Sequence, residues 1–141
     1  MKYDIGSTNM HNKIQEWRDL FEELGDDVML YEHLIDEGRK LQSNPLPEEL
    51  RTEQNRVSRC QYDLFVARHE DKFKAYSNGM IAGGYAYMLL DIFNSVTLEE
   101  VAQCDPAEIG KSIGVKEILS AQRGNGFYQM MDLMKEQANE K

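Results

Sequence analysis

The chain is short of positive charge. Its 141 residues carry 16 lysines and arginines against 25 aspartates and glutamates, for a net charge of −9. With a pI near 4.8, it lacks the basic face that a phosphate backbone or an anionic lipid surface demands. Neither nucleic acid nor membrane is expected as a partner. Long apolar runs are missing as well. The longest is Met80–Leu90, with Ile92 and Phe93 beyond Asp91, whereas a membrane span needs about 20 such residues. The first ten residues are polar with no apolar centre, so no secretory signal is expected and the protein reads as cytoplasmic. Cysteine and histidine are scarce: Cys60, Cys104 and three scattered histidines. Two cysteines allow at most one disulfide, and the set is too small for a closed structural zinc site. No bound metal is expected.

What remains is an ordinary globular composition. With 41% apolar and 29% charged residues, the chain has enough apolar material to fold and is not a disordered segment. The length fits one domain, read as residues 10–141 behind a flexible segment, 1–9. Ile14, Trp17, Leu20, Phe21 and Leu24 repeat at helical spacing, predicting a helix over Met10–Leu24 with Thr8 or Asn9 as its cap and Gly25 at its end. Val28, Leu30, Tyr31, Leu34, Ile35 and Leu41 form the stripe of a second helix, Asp26–Leu41. Its aspartates, Asp26 and Asp27, suit the positive N-terminal end. Pro45 and Pro47 break the chain after it.

Residues 51–77 change character. Tyr62, Leu64, Phe65 and Val66 have strand composition, and Phe73, Ala75 and Ser77 alternate with Lys72, Lys74 and Tyr76. This predicts a hairpin turning at His69–Asp71, with Arg56–Ser58 as a short first strand. Met80–Phe93 is apolar almost all round, the mark of a central buried helix, and its Gly83–Gly84 pair implies close packing against the sheet. Thr97 with Glu100 spells a capping box. Asp105–Pro106 starts another helix, which Gly114 interrupts. Ser120–Gly126 reads as a polar loop, and Phe127, Met130, Met131 and Met134 as the stripe of a last helix. The expected class is α+β, a single domain in which helices pack a small three-stranded antiparallel sheet.

Charge is unevenly spread. Residues 1–50 carry a net −7 and residues 91–141 a net −4, but residues 51–90 carry +2. That positive segment holds Cys60, flanked by Arg56 and Arg59. Nearby positive charge favours the thiolate, which is the nucleophilic form. The residues alone leave open a reactive thiol and a buried structural one. Cys104 has no basic neighbour in sequence and reads as a packing residue. No histidine is an evident partner for Cys60, and His11, His33 and His69 read as solvated. Arg123, within Ser120–Gly126, is either solvated or held to pair with a carboxylate or thiolate. A phosphate cradle there lacks the Walker pattern and a preceding strand.

Four stretches, in order, resemble the SufE/CsdE family of sulfur-acceptor proteins. Tyr31-Glu-His-Leu-Ile-Asp-Glu-Gly-Arg-Lys-Leu41 resembles Y-x-x-L-I-x-x-G-x-x-L. Val57-Ser-Arg-Cys60-Gln61, with Leu64 and Phe65, resembles V-x-G-C-Q-S-x-V-W. Ser77-Asn-Gly-Met-Ile-Ala-Gly-Gly84 resembles S-D-A-x-I-V-x-G, and Leu119-Ser-Ala-Gln-Arg-Gly-Asn-Gly126 resembles L-S-x-x-R-x-N-G. The likeness runs from about Ile14 to Met134. Among the departures from it, Arg59 replaces Gly, Tyr62 replaces Ser, Phe65 replaces Trp and Asn78 replaces Asp.

The resemblance implies a SufE/IscU-like fold and a non-enzymatic sulfur carrier with no cofactor of its own. Cys60 would accept a persulfide sulfur from a PLP-dependent cysteine desulfurase of SufS/CsdA type, stimulating it. The sulfur would pass on for iron–sulfur assembly on a scaffold such as the SufBCD complex. Arg123 takes the place of the arginine near the desulfurase contact. Arg59, Gln61, Ser77, Asn78, Asn125 and Gly126 are the further candidate partner-binding or supporting positions. The alternative is a regulator that keeps the fold and binds a desulfurase without carrying sulfur. A cluster scaffold normally uses three cysteines, one more than this chain has.

Overall fold

The computed structural model describes residues 5–114 and 121–140, apart from the side chains of 5–8, 27 and 121–125. Helix α1 spans Ile5–Leu24 and α2 spans Asp27–Gln42. Two short 3-10 turns follow, at Glu48–Leu50 and Glu53–Asn55. Strands β1 (Leu64–His69) and β2 (Lys72–Ser77) form the hairpin. Helices α3 (Met80–Phe93), α4 (Leu98–Ala102), α5 (Pro106–Ile113) and α6 (Ala121–Asn139) complete the order.

Local chemistry sets most of these limits. The Asp26 carboxylate accepts the Met29 N–H at 2.9 Å, capping α2. Thr97 and Glu100 make the reciprocal capping box of α4. Asp105 caps α5, with Pro106 in its first turn, and Gly114 ends that helix in the left-handed conformation. Each device satisfies backbone groups that a helix end otherwise leaves bare.

Three expectations about the extent of elements change. First, the sheet has two strands, in antiparallel register from Leu64↔Ser77 to His69↔Lys72. Arg56 makes only an isolated bridge to Phe65. It lies between the turn at Glu53–Asn55 and the bend at Ser58, which leaves no length for a third strand. Second, α6 starts at Ala121, so Gly124, Asn125 and Gly126 are helical rather than loop. Third, α1 is already helical at Ile5, placing Thr8 and Asn9 inside it rather than at its cap.

The core is gathered around α3. Its buried residues include Ala82, Tyr85, Ala86, Met88, Leu89, Ile92 and Phe93. One face of the hairpin, Leu64, Val66, Phe73 and Ala75, joins the same core. The other face, Phe65 and Ala67, packs under Leu46 of the proline segment. Two side chains tie α6 to β1. Buried Gln137 donates from Nε2 to the Val66 carbonyl at 2.7 Å. Arg68 of β1 reaches the Gln137 and Glu140 carbonyls at 3.0 and 2.8 Å.

Helices α2 and α3 meet backbone to backbone, so the Gly83–Gly84 pair serves a helix crossing rather than packing against the sheet. A Cβ on Gly38 would sit 3.0 Å from the Met80 carbonyl oxygen, and one on Gly84 would overlap the Leu34 carbonyl. Main chain cannot swing aside as a flexible side chain would, so a methyl here forces the helices apart. Replacing Gly84 by Ala is expected to cost about 3 kcal/mol or abolish folding. Among the described residues Gly114→Ala meets no atom within 4 Å and only strains a φ of +78°, a cost of about 1 kcal/mol. Urea denaturation of both variants checks the ranking; a smaller loss for Gly84→Ala would contradict it.

Candidate functional site

Cys60 lies in the bend that joins the Arg56 bridge to β1. The segment is fixed on both sides. Val57 is fully buried, and its N–H donates to the Leu64 carbonyl at 2.8 Å. On the far side, the Asp63 N–H donates to Asn78 Oδ1 at 2.9 Å. The Asp63 carbonyl accepts from Ser77 Oγ at 2.6 Å and from the Asn78 N–H at 3.2 Å. Ser77 Oγ also accepts the Gly79 N–H at 3.0 Å, joining the bend to the first turn of α3. Between these ends the Cys60 N–H donates to the Val57 carbonyl at 3.2 Å, which turns Cys60 inward.

Cys60 is therefore buried, 8% exposed, while Gln61 and Tyr62 beside it face solvent. A cavity of about 340 Å³ opens next to it, walled by Ile35, Tyr62, Asn78, Met80, Ile81 and Tyr85. Helix α6 closes the other side. A Cβ on Gly126 would lie 3.4 Å from Cys60 Cβ and 2.6 Å from Tyr85 Oη, so glycine is needed there for close approach. Tyr62 packs on Gly79, where a Cβ would fall 2.8 Å from its ring. Its ring and the exposed Met80 leave an apolar rim at the mouth of the cavity.

Of the sequence-derived candidates, the fold brings together Cys60, Gln61, Ser77, Asn78 and Gly126. Ser77 and Asn78 act on the bend, through Asp63. The Arg59 side chain is exposed. Arg56 pairs with Asp63 at 3.5 Å and lies over the Phe65 ring. The backbones of Arg123 and Asn125 sit near the start of α6, and their side chains fall outside the described residues. Sequence reading missed Gln129, whose Oε1 accepts the Arg59 N–H at 2.7 Å and whose Nε2 donates to Ser58 Oγ at 2.9 Å. Among the described residues no group of three or more His, Cys, Asp and Glu side chains is placed to hold a metal ion. His33 is half-buried rather than solvated, packed edge-on to Trp17 and 3.4 Å from the buried Glu37 carboxylate.

Cys60 is thus a buried thiol in a bend anchored at both ends, under α6 and beside a largely apolar cavity. The SufE family profile, described as an Fe-S metabolism associated domain, matches residues 15–138. The chain belongs to the SufE family. An uncharacterized SufE-like protein of Rhizobium meliloti (strain 1021) is 31% identical over 116 residues, 77% of this chain and 81% of its own. SufE-like protein 1, chloroplastic/mitochondrial, of Arabidopsis thaliana is 27% identical over 131 residues. That match spans 89% of this chain and 34% of the plant protein. A solution structure of a hypothetical protein from Thermus thermophilus has the same fold. It superimposes with a TM-score of 0.68 over 89% of this chain and 93% of that one, at 20% identity. Membership places the protein in iron–sulfur metabolism.

The second cysteine of this SufE-family chain has a different environment. Cys104 is buried between α4 and α5. Burial pushes its thiol up from 9.0 to about 11; Asp105 and Asp132 add to the rise and Lys135 opposes it. The folded state thus holds this proton more tightly than the unfolded chain. Its stability contribution is intact below pH 9.0 and is lost as pH rises towards 11. Denaturation midpoints of wild type and Cys104→Ala are expected to diverge over that interval, the wild type falling faster. Parallel curves would contradict the assignment.

Proposed function

We propose that the protein accepts sulfane sulfur on Cys60 from a PLP-dependent cysteine desulfurase, stimulates that enzyme, and passes the sulfur on for iron–sulfur cluster assembly. The observation that carries this reading is the setting of Cys60: a lone thiol turned inward beside an apolar cavity, in a short bend with both ends anchored. A sulfur carrier needs two properties at once. Its thiol must be presentable to a partner, and its loaded form must be kept from oxidants that drive thiolates to irreversible acids. An anchored bend with a cavity beneath it suits both: the five residues between Val57 and Asp63 would swing out while those two stay in place.

The step itself is displacement at sulfur. The Cys60 thiolate attacks the terminal sulfur of the donor persulfide. A new S–S bond forms on Cys60 Sγ, and the bond between that sulfur and the donor cysteine breaks. The donor leaves as a thiolate, which its own active site reprotonates. No electrons are gained or lost overall, so no oxidant or reductant is consumed. A downstream thiol takes the sulfur by the same displacement. The partner surface is the exposed rim around the cavity, where Arg59, Gln61, Tyr62 and Met80 face solvent. Arg123 and Asn125 are candidate contacts from α6. The positive balance of residues 51–90 in an otherwise acidic chain favours an acidic patch on the desulfurase, which speeds encounter more than it tightens binding.

Intact mass after incubation with a cysteine desulfurase and cysteine tests this. Wild type is expected to gain about 32 Da per sulfur, with the gain absent in Cys60→Ser and retained in Cys104→Ser. Stimulation of the desulfurase by Cys60→Ser at the wild-type level, with no mass gain in wild type, would instead establish a regulator that carries no sulfur.

A further inference from the structure

The bend that carries Cys60 is five residues long, Ser58–Tyr62, between the fixed positions Val57 and Asp63. Its outward face is exposed at Ser58, Arg59, Gln61 and Tyr62, and only Cys60 is turned in. One side chain from another element grips the arm just ahead of Cys60. Gln129, on α6, accepts the Arg59 N–H at 2.7 Å through Oε1 and donates to Ser58 Oγ at 2.9 Å through Nε2. A carboxamide suits this place because it offers an acceptor and a donor a short distance apart. Gly126 stands one turn earlier on the same helix, against Cys60 itself. Helix α6 therefore both covers the thiol and holds its bend.

We propose that Gln129 is a positioning residue, a latch that keeps the Ser58–Tyr62 bend closed and so sets how often Cys60 Sγ faces an incoming protein-bound persulfide. This rests on the reading of Cys60 as the sulfur acceptor and assigns the regulation of that site to a residue that touches neither sulfur. Both bonds are lost when the bend swings away from α6, because Ser58 and Arg59 move with Cys60. Nothing about them changes if the whole domain stays folded and closed. Removing them raises the open fraction without altering the thiol's own chemistry.

The test reads thiol access, not sulfur transfer. Initial rates of iodoacetamide alkylation at Cys60 and Cys104 are followed by peptide mass in wild type, Gln129→Met and Gln129→Glu. Gln129→Met keeps the length and removes both bonds, and Cys60 alkylation is expected to rise roughly ten-fold while Cys104 is unchanged. Gln129→Glu is expected to stay near wild type, since a carboxylate still accepts the Arg59 N–H and can accept from the Ser58 hydroxyl. Equal Cys60 rates in wild type and Gln129→Met would overturn the latch. So would a parallel rise at both cysteines, which reports general loosening. An unchanged mass in the desulfurase assay would sink the sulfur-acceptor reading while leaving these rates as they are, so the two failures are distinguishable.

Discussion

Helices α2 and α3 lie so close at Gly38, Gly83 and Gly84 that each runs in the other's main-chain groove. The rest of the structure depends on that contact. It brings the first turn of α3, Gly79–Ala82, against α2, and from there Ile35, Met80 and Ile81 become walls of the cavity beside Cys60. It also sets the height of the loop that ends β2, because Ser77 and Gly79 are joined by a hydrogen bond at the start of α3. Widening the crossing by one methyl would move the cavity wall and the anchor of the Cys60 bend together. Close packing of this kind transmits small displacements because the interior has little room to absorb them.

Around that frame the site divides its work among three elements. The hairpin supplies the fixed arm, through the Val57–Leu64 bond. The start of α3 supplies the second anchor, through Ser77 and Asn78 acting on Asp63. Helix α6 supplies the cover, with Gly126 over the thiol and Gln129 on the arm before it. The two cysteines of the chain are set apart by the same geometry. Cys60 belongs to a bend whose outward face is wet and whose flanks are basic. Cys104 sits where burial pushes its thiol up to about 11, which disfavours the nucleophilic thiolate there.

Much of this is legible in the sequence alone. The helices with strong local signals, α2, α3, α4 and α5, fall where their apolar spacing and caps placed them, since Asp26, the Thr97–Glu100 box and Asp105–Pro106 act within one turn of chain. The hairpin is legible from alternation at Phe73, Ala75 and Ser77. What misleads is glycine and polarity read locally. Gly124 and Gly126 suggest a loop, whereas Gly126 is required by a long-range approach to Tyr85 and Cys60. Arg56–Ser58 has strand-like neighbours but too little length to pair. Gln129 gives no sequence signal, because its partners lie 70 and 71 positions away and its place beside the Met130 stripe looks like any half-exposed helix residue. The family pattern locates Cys60, but only the fold shows what holds it.

The most direct test of the central claim is a chase of labelled sulfur. The protein is loaded from a desulfurase with radiolabelled cysteine, purified away from it, and offered a protein or small thiol acceptor. The account predicts that the label resides on the peptide containing Cys60, survives purification, and leaves only when the acceptor thiol is added. Label on Cys104, or label on Cys60 that no thiol removes, would contradict it.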